Sequence, residues 1–417
     1  MTEWEKIKID KLCTIEKGQA GLAKATSGQY PLVTTGYKKK TCNEYQFNAK
    51  AVCIPLVSST GHGKKTLNYV HYQEGKFALG TILAAVIPKD DEELDAKYLH
   101  LYLTFFKDRI LVPLMRGAAN VSLSIKDIKN IYIPVPSINI QKSIIAKYYK
   151  IKPGSDELLE IINHQSKCFK QLRQIILQEA VEGKLTADWR KKNPELISGE
   201  NSAENLLKKI KIEKEQLIKE EKIKTQKPLL PISEAGRVFK LPESWIYVRV
   251  GEVIKKISLI GKKLKKREYL KKGKLPIIDQ GQKFIGGYSN KKQLIVGCEL
   301  PVIIFGDHTK IFKFVNFKFI AGADGIKVIK PIGIYQSKLF YYFLRALILP
   351  KKGYARHFQF LEKSYIPLPP LSEQKVIIER LDNIMDTINE LEKQANQRKE
   401  QTAQLIYSVL REAFEQK

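Results

Sequence analysis

The segment Tyr132-Ile133-Pro134-Val135-Pro136 recurs later in the chain as Tyr365-Ile366-Pro367-Leu368-Pro369. A glutamine and a lysine follow each copy at the same spacing, as Gln141-Lys142 in the first and Gln374-Lys375 in the second. A repeat that returns only after more than half of the 417 residues is too long for a solenoid of short repeats. The sequence therefore predicts two whole units, each made of a domain and a helix.

Each unit has the same predicted order of secondary structure. Short strand-like stretches punctuated by glycine come first, such as residues 276–281 and 301–306. A helix-like segment rich in Tyr, Leu and Phe follows. The Pro-x-Pro motif then ends the domain, because proline cannot continue the preceding element and biases the residue before it towards extended backbone. A long helix is predicted beyond each motif.

Both long helices carry a seam of residues at alternating steps of four and three, which requires a partner helix. The seam residues of the C-terminal helix are Ile377, Leu381, Ile384, Ile388, Leu391 and Ala395, and those of the central helix are Leu158, Ile162, Gln165, Phe169, Leu172 and Ile176. Packing of each helix on its own domain is the alternative. Two matched seams in one chain favour pairing of the helices as an antiparallel coiled coil.

We therefore expect an α+β chain with two tandem mixed α/β domains separated by long helices. The predicted divisions are a first domain over 1–137, a central helical spacer and linker over 138–235, a second domain over 236–372 and a C-terminal helical spacer over 373–417. A helix from Gln374 to Gln416, rising about 1.5 Å per residue, would be about 60 Å long. That length approaches two turns of B-DNA at about 34 Å each.

The chain is strongly basic, with 72 Lys and Arg against 44 Asp and Glu, a formal net charge of +28. Such an excess attracts a polyanion, and nucleic acid is the commonest one. Residues 237–369 carry 27 basic and 8 acidic residues, whereas residues 370–417 carry 7 and 9. A solvated, lysine-rich surface is the alternative, but uniform enrichment in lysine would not leave the C-terminal helix acidic. The charge favours a nucleic-acid partner.

The remaining composition predicts a cytoplasmic protein. No apolar run approaches the roughly 20 residues that span a membrane, and the N-terminus lacks the layout of a signal peptide. The cysteines are odd in number and scattered without a C-x-x-C pair, which is typical of reduced thiols and argues against zinc. They are Cys13, Cys42, Cys53, Cys168 and Cys298.

Glycine-permitted loops supply the side chains that read base edges in the major groove, where Arg or Lys suits guanine and Asn or Gln suits adenine. The candidates in the first domain are Lys38, Lys39, Lys40, Ser59, Thr60, His62, Lys64, Lys65, Arg116 and Asn120. Those in the second domain are Lys263, Lys266, Gln280, Gln282, Lys283, Asp307, His308, Thr309, Lys310, Arg356, His357 and Gln359. Lysine runs that include Lys263 and Lys266 are expected to contact phosphates, which position the protein without specifying sequence. An ordinary solvated loop position is the alternative for each residue.

No catalytic, metal or cofactor site is predicted. The chain has neither a Gly-x4-Gly-Lys-Ser/Thr phosphate loop nor an Asn/Asp-Pro-Pro-aromatic methyltransferase motif. Asp90 and Asp95 followed by Lys97 resemble the acidic pair and lysine of a metal-dependent nuclease, but the stretch is better interpreted as a polar turn that enters a helix. A metal-dependent nuclease and a stand-alone DNA-binding repressor remain the alternatives.

Three segments resemble the specificity subunits of type I restriction–modification systems. Residues 365–374 are similar to the I-P-x-P-P-x-x-E-Q segment that opens their helical spacers. Residues 178–186 with Asp188-Trp189-Arg190 are similar to their central G-K-L-T segment, and residues 305–310 to a loop of their recognition domains. The first copy of the spacer segment, residues 137–141, keeps the glutamine but lacks the second proline and the glutamate.

The resemblance implies a non-catalytic subunit with two target-recognition domains, each reading one half of a split, asymmetric site in double-stranded DNA. It further implies two methyltransferase subunits, one along each helical spacer, and restriction subunits that join through the complex. Adenine methylation from S-adenosylmethionine, and cleavage driven by ATP, would then belong to those partners.

Overall fold

The structure, a computed structural model, describes residues 4–21, 26–38, 40–60, 63–223, 239–322, 325–350 and 356–414. The chain divides into two units, of which unit 1 comprises residues 1–164 and 395–417 and unit 2 comprises residues 165–394. These units do not test the division predicted at residues 137, 235 and 372, which stays a prediction.

The described part of unit 1 contains two four-stranded sheets, a two-stranded pair, three α-helices of its own and parts of the two long helices. Its elements are β1 (Lys6–Lys8), α1 (Ile9–Leu12), β2 (Cys13–Lys17), β3 (Tyr30–Val33), β4 (Lys40–Cys42), β5 (Phe47–Asn48), β6 (Ala51–Pro55), β7 (His71–Gln73), β8 (Lys76–Leu79), β9 (Leu83–Pro88), α2 (Ala96–Ile110), α3 (Ile125–Lys129), β10 (Tyr132–Pro134) and the first part of α4 (Ile138–Val181). The sheet β2-β9-β6-β7 is antiparallel, and the sheet β4-β3-β8-β5 has β3 and β8 parallel. β1 pairs with β10.

Strand β6 shows why unit 1 forms three layers. All five of its residues are buried, so both faces of the strand must be covered. Because side chains alternate along a strand, Val52 and Ile54 pack in one cluster with helix α2. Ala51 and Cys53 pack in another cluster with Phe77 of the second sheet. The order of layers is helix, sheet and sheet.

Unit 2 repeats this arrangement. Its elements are the last part of α4, α5 (Ala187–Lys192), α6 (Ala203–Lys219), β11 (Ile246–Arg249), β12 (Ile254–Ile257), β13 (Lys263–Leu264), β14 (Leu275–Ile278), β15 (Gly287–Ser289), β16 (Val302–Gly306), β17 (Phe312–Val315), β18 (Ile320–Gly322), β19 (Ile326–Pro331), α7 (Ser337–Ala346), α8 (Phe358–Lys363), β20 (Tyr365–Leu368) and α9 (Leu371–Phe414), whose last part belongs to unit 1. The sheets are β12-β19-β16-β17 and β15-β14-β18-β13, and β11 pairs with β20.

The two units match strand for strand except at one sheet edge. In unit 1 the edge strand β5 follows β4 in the chain and pairs antiparallel with β8. In unit 2 the edge strand β13 precedes β14 and pairs parallel with β18. The predicted duplication into two mixed α/β domains is confirmed, and the two copies differ at this sheet edge.

Each domain core receives the start of one long helix and the end of the other. In unit 1, Ile144 of α4 and Leu410 and Phe414 of α9 join the cluster around helix α2. In unit 2, Ile377 of α9 and Leu177 of α4 join the cluster around helix α7. The long helices therefore pack on the domains as well as on each other.

Within each unit the two long helices run antiparallel. In unit 2, Arg173 of α4 donates to Asn389 and Glu392 of α9, both at 2.8 Å. In unit 1, Lys399 of α9 donates to Asn163 of α4 at 3.1 Å. The predicted pairing is confirmed, but these contacts are polar.

The predicted seam is only partly correct. Its residues Leu158, Leu172 and Leu391 are 40% exposed or more. Its residues Ile162, Ile388 and Ala395 are 4% exposed or less and belong to neither domain-core cluster, so apolar burial along the helices also occurs away from the domain cores. The reason is that the two helices cover only part of each predicted seam, and polar side chains such as Arg173 occupy some of the contact positions.

Helix α4 ends at Val181, and a glycine follows it closely. Gly183 has φ of +72°, the left-handed backbone that favours glycine after a helix, and the Lys184 N–H donates to the Glu179 carbonyl at 2.9 Å. Helix α6 then places Leu206 and Ile210 in the core of unit 2. The predicted proline-rich linker at 228–231 lies outside the described residues.

A glutamine occupies the same buried position where each long helix leaves its domain. The Asp95 N–H, at the N-cap of α2, donates to the Gln141 side-chain oxygen at 2.9 Å. The Gln336 N–H, at the N-cap of α7, donates to the Gln374 side-chain oxygen at 3.0 Å. Each glutamine amide also donates to the carbonyl of the last Pro-x-Pro proline, at 2.9 Å from Gln141 and 3.1 Å from Gln374. The repeated glutamine thus joins the domain helix to the long helix.

Glu373 is fully buried and satisfied in unit 2. Its carboxylate accepts hydrogen bonds from the Thr186 hydroxyl at 2.6 Å, the Arg190 guanidinium at 2.9 Å and the Trp245 indole N–H at 2.7 Å. This contact explains the departure in the first spacer segment. There Ile140 replaces the glutamate, and the described part of unit 1 has no counterpart of the Thr186–Arg190 segment.

We predict that Glu373→Ala lowers the free energy of unfolding by about 3–5 kcal/mol, because removing one partner leaves a buried guanidinium without its counter-charge. Chemical unfolding followed by circular dichroism measures the change. Glu390→Ala is the matched control on the same helix, since Glu390 is exposed and its contact with Lys393 is long at 3.8 Å; we expect a loss of less than about 1 kcal/mol. Equal losses from the two variants would contradict the role assigned to Glu373.

Candidate nucleic-acid interface

Three loops of unit 1 lie side by side at one end of the sheets. The Ser58 N–H donates to the Val121 carbonyl at 2.9 Å, which joins the loop after β6 to the loop before α3. Tyr37, in the β3–β4 hairpin loop, has its ring centroid 5.7 Å from that of Tyr69 at the end of the β6–β7 connection. Loops that are far apart in sequence therefore form one surface.

Most of the residues predicted to contact DNA in unit 1 lie on this surface. The exposed ones are Lys38, Lys40, Thr60, Lys64, Lys65, Arg116 and Asn120. Arg116 makes an ion pair with Asp127 at 3.2 Å. Ser59 is half-buried, and its hydroxyl accepts the Asn68 N–H at 2.9 Å, so it shapes the loop. Lys39 and His62 lie outside the described residues.

Unit 2 brings together the β14–β15 hairpin loop, the β16–β17 loop and the segment before α8. Asp307 joins the β16–β17 loop to the start of α8. Its carboxylate accepts the Phe358 N–H at 2.8 Å, and its carbonyl accepts the His357 N–H at 3.0 Å. The Gln280 side-chain oxygen accepts the His308 N–H at 3.3 Å, which joins the hairpin loop to the β16–β17 loop.

Two predicted DNA contacts in unit 2 require correction. Asp307 is 3% exposed and His357 is 1% exposed, so both side chains hold the loops together and do not face solvent. Lys310 is half-buried, with left-handed backbone at φ +60°. The exposed residues among the predictions are Lys263, Lys266, Gln282, Lys283, Thr309, Arg356 and Gln359, and Gln280 and His308 are half-buried.

Lys313 is a buried lysine that the sequence interpretation missed. Its ammonium donates to the carbonyls of Asp279 at 2.7 Å and Lys283 at 2.6 Å, and lies 3.7 Å from the Asp279 carboxylate. Burial lowers the pKa of Lys313, and the nearby Asp279 carboxylate opposes that shift. The local pattern carried no signal for this, because along β17 Lys313 and Val315 share the buried face, whereas the larger apolar Phe312 and Phe314 are half-buried. Lys313 fixes the shape of the hairpin loop that carries Gln280, Gln282 and Lys283.

Basic side chains also border a cleft of unit 2 that includes Phe358 at the start of α8. The cleft has a volume of about 600 Å³ and is lined by Lys256, Lys263, Lys327, Ile260 and Phe358 among others. The Lys256 and Lys327 ammonium groups lie 5.3 and 5.6 Å from the Phe358 ring centroid. The arrangement suits an anionic ligand with apolar faces, which describes a nucleic acid.

The acidic residues considered for a nuclease have local structural roles. Asp90 accepts the Glu92 N–H at 2.9 Å in a turn, and Asp95 caps helix α2 by accepting the Lys97 N–H at 2.7 Å. Among the described residues, no group of three His, Cys, Asp or Glu side chains is placed to hold a metal ion. None of the five cysteines, all of which lie in the described residues, forms a disulfide. Within the same described ranges, none of the helices combines the length and apolar character needed to cross a membrane.

Curated relatives match parts of the chain. The type I restriction enzyme EcoBI specificity subunit of Escherichia coli is 39% identical over 118 residues, which are 28% of this chain and 25% of that subunit. The EcoAI specificity subunit of Escherichia coli is 28% identical over 253 residues, 53% of this chain and 40% of that subunit. The chain thus spans between about a quarter and two fifths of the length of these relatives.

A solved structure extends the likeness to the whole fold. A chain from work on complex assembly and conformational transition of the type I R-M system has a TM-score of 0.62 with 16% identity, covering 99% of this chain and 97% of that one. The family model described as the type I restriction modification DNA specificity domain matches residues 1–151 and 242–401, one match for each repeat. Because these matches cover well over half of the sequence, the chain belongs to the type I restriction–modification DNA specificity family.

Proposed function

We propose that this chain is the DNA-specificity subunit of a type I restriction–modification complex and has no catalytic site of its own. One observation carries the proposal: a domain with a cation-rich loop surface occurs twice, and each copy is joined to a long helix through the same buried glutamine. We assign target-recognition domains to residues 1–137 and 236–372, and helical spacers to 138–235 and 373–417.

Each recognition domain is proposed to read one half of a bipartite, asymmetric site. Exposed lysines such as Lys64, Lys65 and Lys266 neutralise phosphates and fix the position of the domain on the duplex. Asn120, Gln282 and Gln359 are exposed and carry amides that match the adenine edge in the major groove. Because Asp307 and Lys313 hold the loops of unit 2 from within, little loop entropy is lost on binding.

The long helices are proposed to dock methyltransferase subunits. Large apolar side chains remain exposed on them, including Ile161 at 49%, Ile175 at 56% and Leu405 at 51%. Exposed apolar residues along a helix favour a protein partner, which a stand-alone repressor would not require. Restriction subunits would join through the methyltransferases, in the cytoplasm.

The proposal is tested by expressing the chain with the adenine methyltransferase of its own system and sequencing the methylated bases of the host DNA. We expect methylation of one motif made of two defined parts with a fixed gap, only when both proteins are present. Methylation without this chain, or cleavage of DNA by this chain alone with a divalent metal, would refute the proposal.

We predict that Lys64→Glu with Lys65→Glu weakens DNA binding at every sequence alike, because phosphate contacts carry no base information. The logarithm of the affinity falls as the logarithm of the salt concentration rises, and each lost phosphate contact should make this slope less steep by about 0.9. Titration of labelled duplex with the complex at several salt concentrations gives the slope. Lys6→Glu serves as the control for net charge, since Lys6 is exposed on β1, outside the loops; an equal effect there would contradict the assignment.

The length of the paired helices is proposed to set the gap between half-sites. Four residues inserted next to both Asn163 in α4 and Lys399 in α9, which contact each other, add about 6 Å of helix. We therefore expect the gap in the methylated motif to grow by about two base pairs, with both half-sites unchanged. The same insertion within residues 199–201 should leave the gap as it is. An unchanged gap after the helix insertions would exclude the helices as the spacer.

A further inference from the structure

Tyr37 is a large aromatic residue at the tip of the unit 1 loop surface. Its side chain is 77% exposed in the β3–β4 hairpin loop, and the exposed Lys38 and Lys40 stand beside it in the sequence. Single exposed apolar residues are common on protein surfaces and require no explanation by themselves. The surroundings of Tyr37 distinguish it.

Tyr37 is supported by a short series of rings that reaches the domain core. Its ring centroid lies 5.7 Å from that of Tyr69, with the planes at 49°, and the Tyr69 ring lies 6.0 Å from that of the buried His71. Tyr69 is 40% exposed. The contact with Tyr69 limits the motion of Tyr37 and still leaves most of its ring open to a ligand.

Unit 2 carries an exposed aromatic in the matching hairpin loop. Phe284, in the β14–β15 loop, is 44% exposed, follows the exposed Lys283 and has its ring centroid 6.1 Å from that of Phe317. Lys313 holds this loop by donating to the Lys283 and Phe284 carbonyls. The duplicated domain thus presents a supported aromatic ring beside lysine at the same place in the fold twice.

We propose that Tyr37 and Phe284 are DNA-stacking residues, each placing its ring against a base face or between two bases in the half-site of its own domain. The proposal rests on the proposed function and adds a way of reading DNA that needs no base-edge hydrogen bond. An aromatic ring that inserts between two base pairs unstacks them. Because pyrimidine–purine steps unstack most easily, such a ring favours sites that contain one of these steps. The adjacent lysines neutralise the phosphates that flank the opened step.

The lysines decide between DNA and a protein as the ligand of these rings. A protein-docking surface presents a contiguous apolar patch with a polar rim. Tyr37 and Tyr69 form a small aromatic pair with the exposed Lys38, Lys40 and Lys65 on their own loops, which suits a polyanion with stacked rings.

The experiment measures binding of the complex of this chain and its methyltransferase to a duplex that contains the motif methylated by the wild type. We expect Tyr37→Ala to bind about tenfold more weakly, the usual loss for one base–aromatic stack, and Tyr37→Phe to stay within about twofold of the wild type. Tyr132→Ala is the matched control, since Tyr132 is 54% exposed beside Lys8 but lies on the β1–β10 pair. It should bind as the wild type does.

Single abasic sites placed along the duplex then locate the stack. At one position in one half-site, removal of the base should make the DNA affinities of the wild type and Tyr37→Ala equal, because no base is left for Tyr37 to stack on. Phe284→Ala should show the same coupling at a position in the other half-site. The inference is overturned if Tyr37→Ala binds the intact duplex as tightly as the wild type does. It is also overturned if Tyr37→Ala binds more weakly than the wild type by the same factor whichever base is removed. The proposal is also overturned if Tyr37→Ala no longer co-purifies with the methyltransferase but keeps its DNA affinity. That result would identify a contact with protein. Absence of any bipartite motif for the wild type instead refutes the proposed function.

Discussion

The structure depends on how a domain and a long helix are joined at the Pro-x-Pro motif. The side chains of Gln141 and Gln374 are fully buried there, and each one caps the domain helix with its oxygen while its amide binds the carbonyl of the last proline. A buried amide must satisfy both its donor and its acceptor groups, and only one relative position of the two helices allows this. The direction in which each long helix leaves its domain is therefore fixed by a short polar contact.

The same principle shapes the loops that we propose to contact DNA. Two buried charged residues of unit 2 are satisfied by backbone groups: Asp307 by the Phe358 N–H and Lys313 by the carbonyls of Asp279 and Lys283. Loops held from within can carry different exposed side chains without losing their shape. This separation of support from surface suits the proposed role of these loops in contacting DNA.

The duplication has consequences at both ends of each unit. The three-layer core repeats closely, whereas the sheet edge and the loops differ, so the two domains present different surfaces. The junctions differ as well, because Glu373 binds Thr186, Arg190 and Trp245, whereas Ile140 stands in its place in the first copy. Such a pair of unequal domains supports the proposed asymmetric target.

The sequence alone determined the duplication and the start of a long helix after each Pro-x-Pro motif, because period and proline geometry are local properties. It also indicated the basic loops, since charge is read directly from composition. Tertiary structure decided which loops lie together, that Asp307, His357 and Lys313 are buried, and that Leu158, Leu172 and Leu391 are exposed. These outcomes depend on strand pairing and on contacts between residues far apart in the chain, and a local pattern carries no information about what covers it.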